Sequence, residues 1–236
     1  MSFRFHFVLL FCATFLFHAS CSSARRSELG QHSPITSISS HDASVTAAPT
    51  PYPTKPLVII DAGHGGTDEG ARVHSFMEKR ITLTTAILTK KLLEERGYKV
   101  IMTRSRDTYI SLPRRVSIAN KTKAALFVSI HFNASRYQNA KGMEIYFCDT
   151  SEKWRASASR RLANCILYQL VDQTAATSRG IKGGNFHVIR ETEMPAVLVE
   201  GGFVTNIEER SLLSDKEYLR KIAHGIALGV DKYFKS

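Results

Sequence analysis

Apolar residues fall along this chain in short blocks separated by polar stretches, and their spacing alternates between two periods. Residues 57–60 (Leu-Val-Ile-Ile) form a continuous apolar run, the pattern of a strand buried on both faces. From Glu78 onward, Ile81, Ala86, Ile87, Leu88, Leu92 and Leu93 lie mostly on one helical face, and Gly97 stands where such a helix stops. Residues 98–102 then predict a strand, and Pro113 opens a helix through about Lys121, with the proline at its first position. Residues 124–131 and 142–147 predict two more strands, residues 152–174 a helix, Arg179-Gly180 a turn and residues 186–190 a short strand. Residues 195–200 form a further apolar strand that ends on a carboxylate, and residues 208–213 and 218–234 close the chain as helices. Residues 67–79 are polar and irregular. The alternation of strands and helices predicts a single α/β domain over residues 57–236, built on a mostly parallel sheet.

The first fifty-six residues break this pattern. Residues 1–21 have the form of an export signal: Arg4 supplies the positive charge, and the apolar run 7–17 is too short to span a bilayer. His18-Ala19-Ser20-Cys21 resembles a bacterial lipobox, with His18 where an aliphatic residue is usual. It predicts a lipidated Cys21 as the first mature residue and a membrane-anchored lipoprotein in the periplasm. Cleavage without lipid near Ala19 or Ala24 is the rival. Residues 22–56, rich in Ser, Thr, Ala and Pro, read as a flexible tether too short to be a separate module.

Composition changes the picture little. The 236 residues are 43% hydrophobic and carry a formal charge of +11, which admits an acidic polymer, an acidic membrane face or nucleic acid as partner. The basic residues are dispersed, with only short clusters such as Arg25-Arg26 and Arg160-Arg161, so no nucleic-acid partner is expected. Of the four cysteines, Cys12 leaves with the signal and Cys21 takes the lipid. Cys148 and Cys165 remain and could form one disulfide. The chain has no C-x-x-C, so a cysteine zinc site is not expected.

The candidate chemistry lies at strand ends. The run 57–60 breaks into Asp61-Ala62-Gly63-His64-Gly65-Gly66, which delivers an imidazole to the edge where open α/β sheets place ligands. The loop fails the dinucleotide fingerprint, because Asp68 stands where the third glycine belongs, and it lacks the Gly-Lys-Ser/Thr of a P-loop. A glycine turn around a structurally bonded histidine is the plain alternative to a metal site. The strand 124–131 repeats the design, ending on His131 with Asn133 close behind, and two such strands are a more specific signal than one. Glu78 opens the first helix and could swing back as a third ligand; His74, four residues earlier, is a rival. A His₂Glu set favours zinc, leaves a position for water and lets the metal acidify that water. Glu200 suits the carboxylate that then moves the proton to a leaving nitrogen. Asn133, Glu144, His187 and Arg190 are candidates for substrate contact, and His224 reads as a surface residue of the last helix. No S-x-x-K occurs in the mature chain and no G-x-S-x-G occurs, so nucleophilic serine catalysis is not expected.

Asp61-Ala-Gly-His-Gly-Gly66, Glu78, Ser129-Ile-His-x-Asn-Ala134, Arg179-Gly-Ile-Lys182, and Pro195-Ala-Val-Leu-Val-Glu-x-Gly-Phe203 followed by Asn206 occur in one order. Together they resemble the zinc-dependent N-acetylmuramoyl-L-alanine amidases of the bacterial cell-division type, over the whole folded part. The resemblance implies a central, mostly parallel mixed sheet of about six strands flanked by helices. It implies one zinc on His64, Glu78 and His131, catalysis by Glu200, and a monomer. The implied substrate is peptidoglycan, cut at the amide between N-acetylmuramic acid and L-alanine as daughter cells part. Regulated members of that family carry an extra segment, including a helix over the zinc, between the strand ending near Phe147 and the following helix. Residues 149–153 leave no room for it, so an open site that needs no activator is expected. A zinc peptidase or carboxypeptidase acting on the stem peptide, and a non-catalytic peptidoglycan-binding protein of the division machinery, are the competing functions.

Overall fold

The computed structural model describes residues 55–236. The export signal, Cys21 and all but the last two residues of the tether lie outside the described residues. Chain order runs β1 (Leu57–Ala62), β2 (Arg72–Val73), β3 (Phe76–Met77), α1 (Glu78–Glu95), β4 (Lys99–Met102), α2 (Leu112–Lys121), β5 (Leu126–Asn133), β6 (Met143–Phe147), α3 (Lys153–Thr174), β7 (Ser178–Gly183), α4 (His187–Arg190), β8 (Ala196–Phe203), α5 (Ile207–Leu213) and α6 (Lys216–Lys235).

Six strands form one sheet in the order β4-β1-β5-β8-β6-β7. β4, β1, β5 and β8 are mutually parallel, β6 runs antiparallel to β8, and β7 is parallel to β6. The sheet is therefore mixed and mostly parallel. The period-2 alternation of each strand separates two cores. Val58, Ile60, Leu126, Val128, Ile130, Val197 and Val199 face α1, α3 and α6 in the larger one. Ile59, Phe127 and Leu198 face Ala119 of α2 and Val188 and Ile189 of α4 in the smaller one. Both faces of the central strands are covered, which is why these runs are continuously apolar.

Four local expectations change. Arg179-Gly180 is not a turn but part of edge strand β7. Gly180, at φ +83°, absorbs a register shift in which three β7 steps oppose two of β6. Residues 187–190 are helical, because the consecutive Val188 and Ile189 are both buried in the smaller core, and a strand would turn one of them away. Ser111 caps α2, so Pro113 is its second residue rather than its first. Glu200 does not end β8: Gly201 and Gly202 carry the strand on to Phe203 through a second register shift, with Gly202 at φ +127°. Gly97 follows α1 at φ +85°, the left-handed stop expected of it. Cys148 and Cys165 are both free thiols, with no disulfide between them.

Candidate metal centre

Three side chains converge at the carboxyl ends of β1 and β5. His64 Nε2 lies 3.1 Å from Glu78 Oε1, His131 Nδ1 lies 3.1 Å from the same oxygen, and the two imidazole nitrogens are 3.2 Å apart. Among the described residues these form a cluster of metal-ligating type, with all ligand atoms within 4.8 Å of one another. A tetrahedral zinc with donors at about 2.0–2.1 Å needs neighbouring donors about 3.3 Å apart, so the triangle has the right size. Two imidazoles and one carboxylate are also the donor types zinc prefers.

His64 and Glu78 are held from behind. His64 Nδ1 pairs with Asp68 Oδ1 at 2.9 Å, which turns Nε2 into the cluster. Glu78 begins α1, and its second oxygen accepts the Ala71 N–H at 2.8 Å while Oε1 accepts the Phe132 N–H at 3.0 Å. Glycines clear the space: a Cβ on Gly63 would lie 2.3 Å from the His131 ring, and one on Gly70 2.6 Å from both the His64 ring and Glu78. Burial pushes the Glu78 carboxyl up, but the bonds and charges of His131 and His64 outweigh it and hold the group far below its ordinary range. Burial likewise lowers the His64 imidazole, and Glu78 and Asp68 more than reverse that.

His64 itself adopts a left-handed backbone, φ +61°. Two buried arginines clamp this strained loop. Arg115 donates to the carbonyls of Ala62 (2.6 Å) and His64 (2.7 Å) and pairs with Asp61 Oδ1 at 2.6 Å. Arg104 donates to Ala62 (3.0 Å) and Gly63 (2.7 Å). Asp61 in turn accepts from Thr103 and Ser129.

Glu200 stands beside His131 in the β5–β8 register, and its Oε2 is buried with no hydrogen-bond partner. Burial pushes its carboxyl well above the ordinary range, and the charges of Glu78 and Glu144 push it further. An unpartnered acid next to a three-ligand metal triad is the layout of metal-assisted hydrolysis.

Residues 58–232 match the family of N-acetylmuramoyl-L-alanine amidases known as Amidase_3. The chain belongs to this family. It is 39% identical over 195 residues to the uncharacterised protein YqiI of Bacillus subtilis, spanning 81% of this chain and 93% of that one. It is 37% identical over 178 residues to the N-acetylmuramoyl-L-alanine amidase LytC of the same organism, spanning 75% of this chain and 35% of LytC. Its fold matches the catalytic domain of CwlV, an N-acetylmuramoyl-L-alanine amidase from Bacillus (Paenibacillus) polymyxa var. colistinus. That match has a TM-score of 0.71 at 39% identity and covers 76% of this chain and 98% of that domain. It also matches an N-acetylmuramoyl-L-alanine amidase from Clostridium difficile 630, with a TM-score of 0.73 at 35% identity, covering 78% and 99% of the two chains. The protein is thus an amidase of the class that acts on peptidoglycan.

The remaining candidates of this amidase separate around the triad. Glu144 faces Glu200 across the antiparallel β8–β6 pair, is buried, and accepts from Asn133 at 2.9 Å. His187 lines a cleft of about 140 Å³ with His64, His131, Tyr109, Phe186 and Leu198. Arg190 does not line that cleft. It bonds Asn185 and Glu191 and reaches only the His187 ring, at 3.4 Å. His74 lies between β2 and β3 and stands outside the ligand cluster, because no helix has begun there to carry it onto the face of Glu78. His224 is partly buried, bridging Gln173 at 2.8 Å and Arg96 at 3.0 Å. Sequence reasoning missed Asp68, Arg104 and Arg115. Their signal is weak, since the arginines contact the loop they hold from more than forty residues away.

Proposed function

We propose that this chain is a zinc-dependent N-acetylmuramoyl-L-alanine amidase that hydrolyses the amide between the lactyl group of N-acetylmuramic acid and L-alanine. The observation that carries the reading is the unpartnered buried carboxylate oxygen of Glu200 beside the His64–Glu78–His131 triangle. Those three residues would hold the metal, which when bound supplies Lewis acidity for water and for the scissile carbonyl. Glu200 accepts the proton of the attacking water and returns it to the departing alanine nitrogen. Burial and the charges of Glu78 and Glu144 push the Glu200 carboxyl up. Asp68 orients His64, and the arginine clamp fixes the His64 loop. The export-signal pattern of residues 1–21, the lipobox-like His18-Ala19-Ser20-Cys21 and the tether composition support a periplasmic, membrane-anchored enzyme, and a monomer working in wall remodelling and division is part of the same proposal.

The test is digestion of purified peptidoglycan read by mass spectrometry. Stem peptides beginning at L-alanine, lost with chelator and restored by zinc, are the expected product. Release of a single D-alanine would replace the reading with a carboxypeptidase. Bound zinc with no product would favour a non-catalytic wall-binding role.

A further inference from the structure

The strands at the catalytic edge act as a ruler. His131 on β5 is in register with Glu200 on β8, and Glu200 with Glu144 on β6, whose outer neighbour is β7. One face therefore presents, at steps of about 4.8 Å, a metal ligand, the proton carrier, Glu144 and then the side chains of β7. Glu144 is 2% exposed. It accepts from Lys182 Nζ at 2.5 Å, Arg179 Nε at 2.7 Å, Tyr146 Oη at 2.7 Å and Asn133 Nδ2 at 2.9 Å. Two cations thus share one carboxylate, and the cluster keeps a net positive charge. The carboxylate is closed off, but the Arg179 and Lys182 side chains remain 35% and 38% exposed. Neutralising Glu144 requires only one of them. The Arg179 guanidinium is further fixed 4.9 Å over the Phe203 ring, so its direction is set before any ligand arrives.

We propose that Arg179 and Lys182 form an anion subsite for the carboxylate on the residue that follows L-alanine in the stem peptide. This rests on the amidase reading above. The scissile nitrogen must sit at Glu200, since that group hands it a proton. A carboxylate on the next α-carbon lies about 6–7 Å from that nitrogen, one residue repeat of about 3.8 Å plus the carboxyl itself. From β8 to β7 the backbone distance is about 10 Å, two strand spacings, and both cationic side chains reach back onto β6, where they pair with Glu144, the register neighbour of Glu200. The ruler and the peptide therefore agree in length. The N-acetylated glycan carries no charge for these groups. The peptide accordingly runs outward over β6 and β7, and the sugar is assigned to the opposite side, toward the part of the cleft that Tyr109 and Asp68 line.

The experiment compares two soluble muropeptides, identical except that this carboxylate is free in one and a carboxamide in the other. kcat/KM is measured for each with the zinc-loaded protein. The free acid is expected to be favoured about tenfold, the scale of one charge-assisted hydrogen bond, with the difference expressed in KM. That ratio should fall toward one in Lys182→Met, invert in Lys182→Glu and return in Lys182→Arg. A wild-type ratio near one, or a ratio that Lys182→Met leaves unmoved, overturns the subsite. Hydrolysis of neither substrate overturns the amidase reading and the subsite with it, whereas equal hydrolysis of both overturns the subsite alone.

Discussion

Asp61 is the residue on which the His64 loop is anchored, although its partners are Arg115, Thr103 and Ser129 and none of His64, Glu78 and His131. It is 1% exposed and paired with Arg115, which is 3% exposed and holds the His64 carbonyl with its other nitrogen. Removing one partner of such a buried pair leaves an uncompensated charge, so Asp61→Ala should cost about 3–5 kcal/mol of unfolding free energy in a urea titration. The pH dependence has a definite sign. Burial raises the Asp61 carboxyl, but the Arg115 charge and the bonds from Thr103, Ser129 and Arg115 prevail and hold it below 3.8. A group depressed in the folded state contributes stability above its unfolded value and loses it as pH falls through the folded one. Stability should therefore drop below about pH 4, and that acid limb should be shallower in Asp61→Asn. Glu200 is expected to behave differently, since the role proposed for it is proton transfer and its Oε2 makes no hydrogen bond that would hold the fold. Glu200→Gln should keep one zinc per chain by elemental analysis and lose about 10²- to 10⁴-fold in turnover, while His64→Ala should lose both metal and turnover. Near-normal hydrolysis by the Glu200 variant would remove it as the proton carrier.

At the scale of elements, the tightest seam is between α3 and α6. A Cβ on Gly229 would lie 2.4 Å from the Ile166 Cα, and one on Gly225 2.8 Å from the Leu170 Cα, so two helix backbones meet where α6 has no side chains. Alanine is the better helix former. Even so, Gly229→Ala should destabilise by about 1–3 kcal/mol, because backbone has to move to admit it. A stabilised variant in thermal unfolding would show that the seam is looser than these distances. The glycines that matter here were not legible, since a glycine inside a periodic helix carries no sign of its neighbour. The long apolar strands and α1, α3 and α6 were legible because burial imposed one period over many residues. The short elements were not. β7 has one apolar residue and is held as an edge strand by a single neighbour, and α4 is one turn dictated by tertiary burial of Val188 and Ile189. His64 and His131 stood out because each follows an apolar strand at the edge where open α/β sheets place ligands. Arg104 and Arg115 did not, because they act through backbone carbonyls and need no particular spacing from the loop they clamp.

At the scale of the molecule, the question is what stands between the triad and its polymer. β6 ends at Phe147 and α3 starts at Lys153, so five residues, 148–152, join them. That connection is too short to carry a helix over the catalytic edge. Neighbouring segments at that edge brace the backbone of the His64 loop: Gly66 with Asp107 at 2.7 Å, Lys79 with the Gly66 carbonyl at 2.7 Å, and Arg115 with the His64 carbonyl. These contacts build walls and leave the mouth open, with His64 and His131 side chains still 22% and 18% exposed. Among the described residues no element covers the cluster for an activator to displace. Its rate on peptidoglycan should therefore be the same, within about twofold, with or without an added division-machinery activator, because a partner with no differential affinity for two states shifts nothing. Strict dependence on such a partner would mean that closure comes from outside the described residues. Were Cys21 lipidated, the tether would restrain the activity by limiting how far into the wall the site can reach.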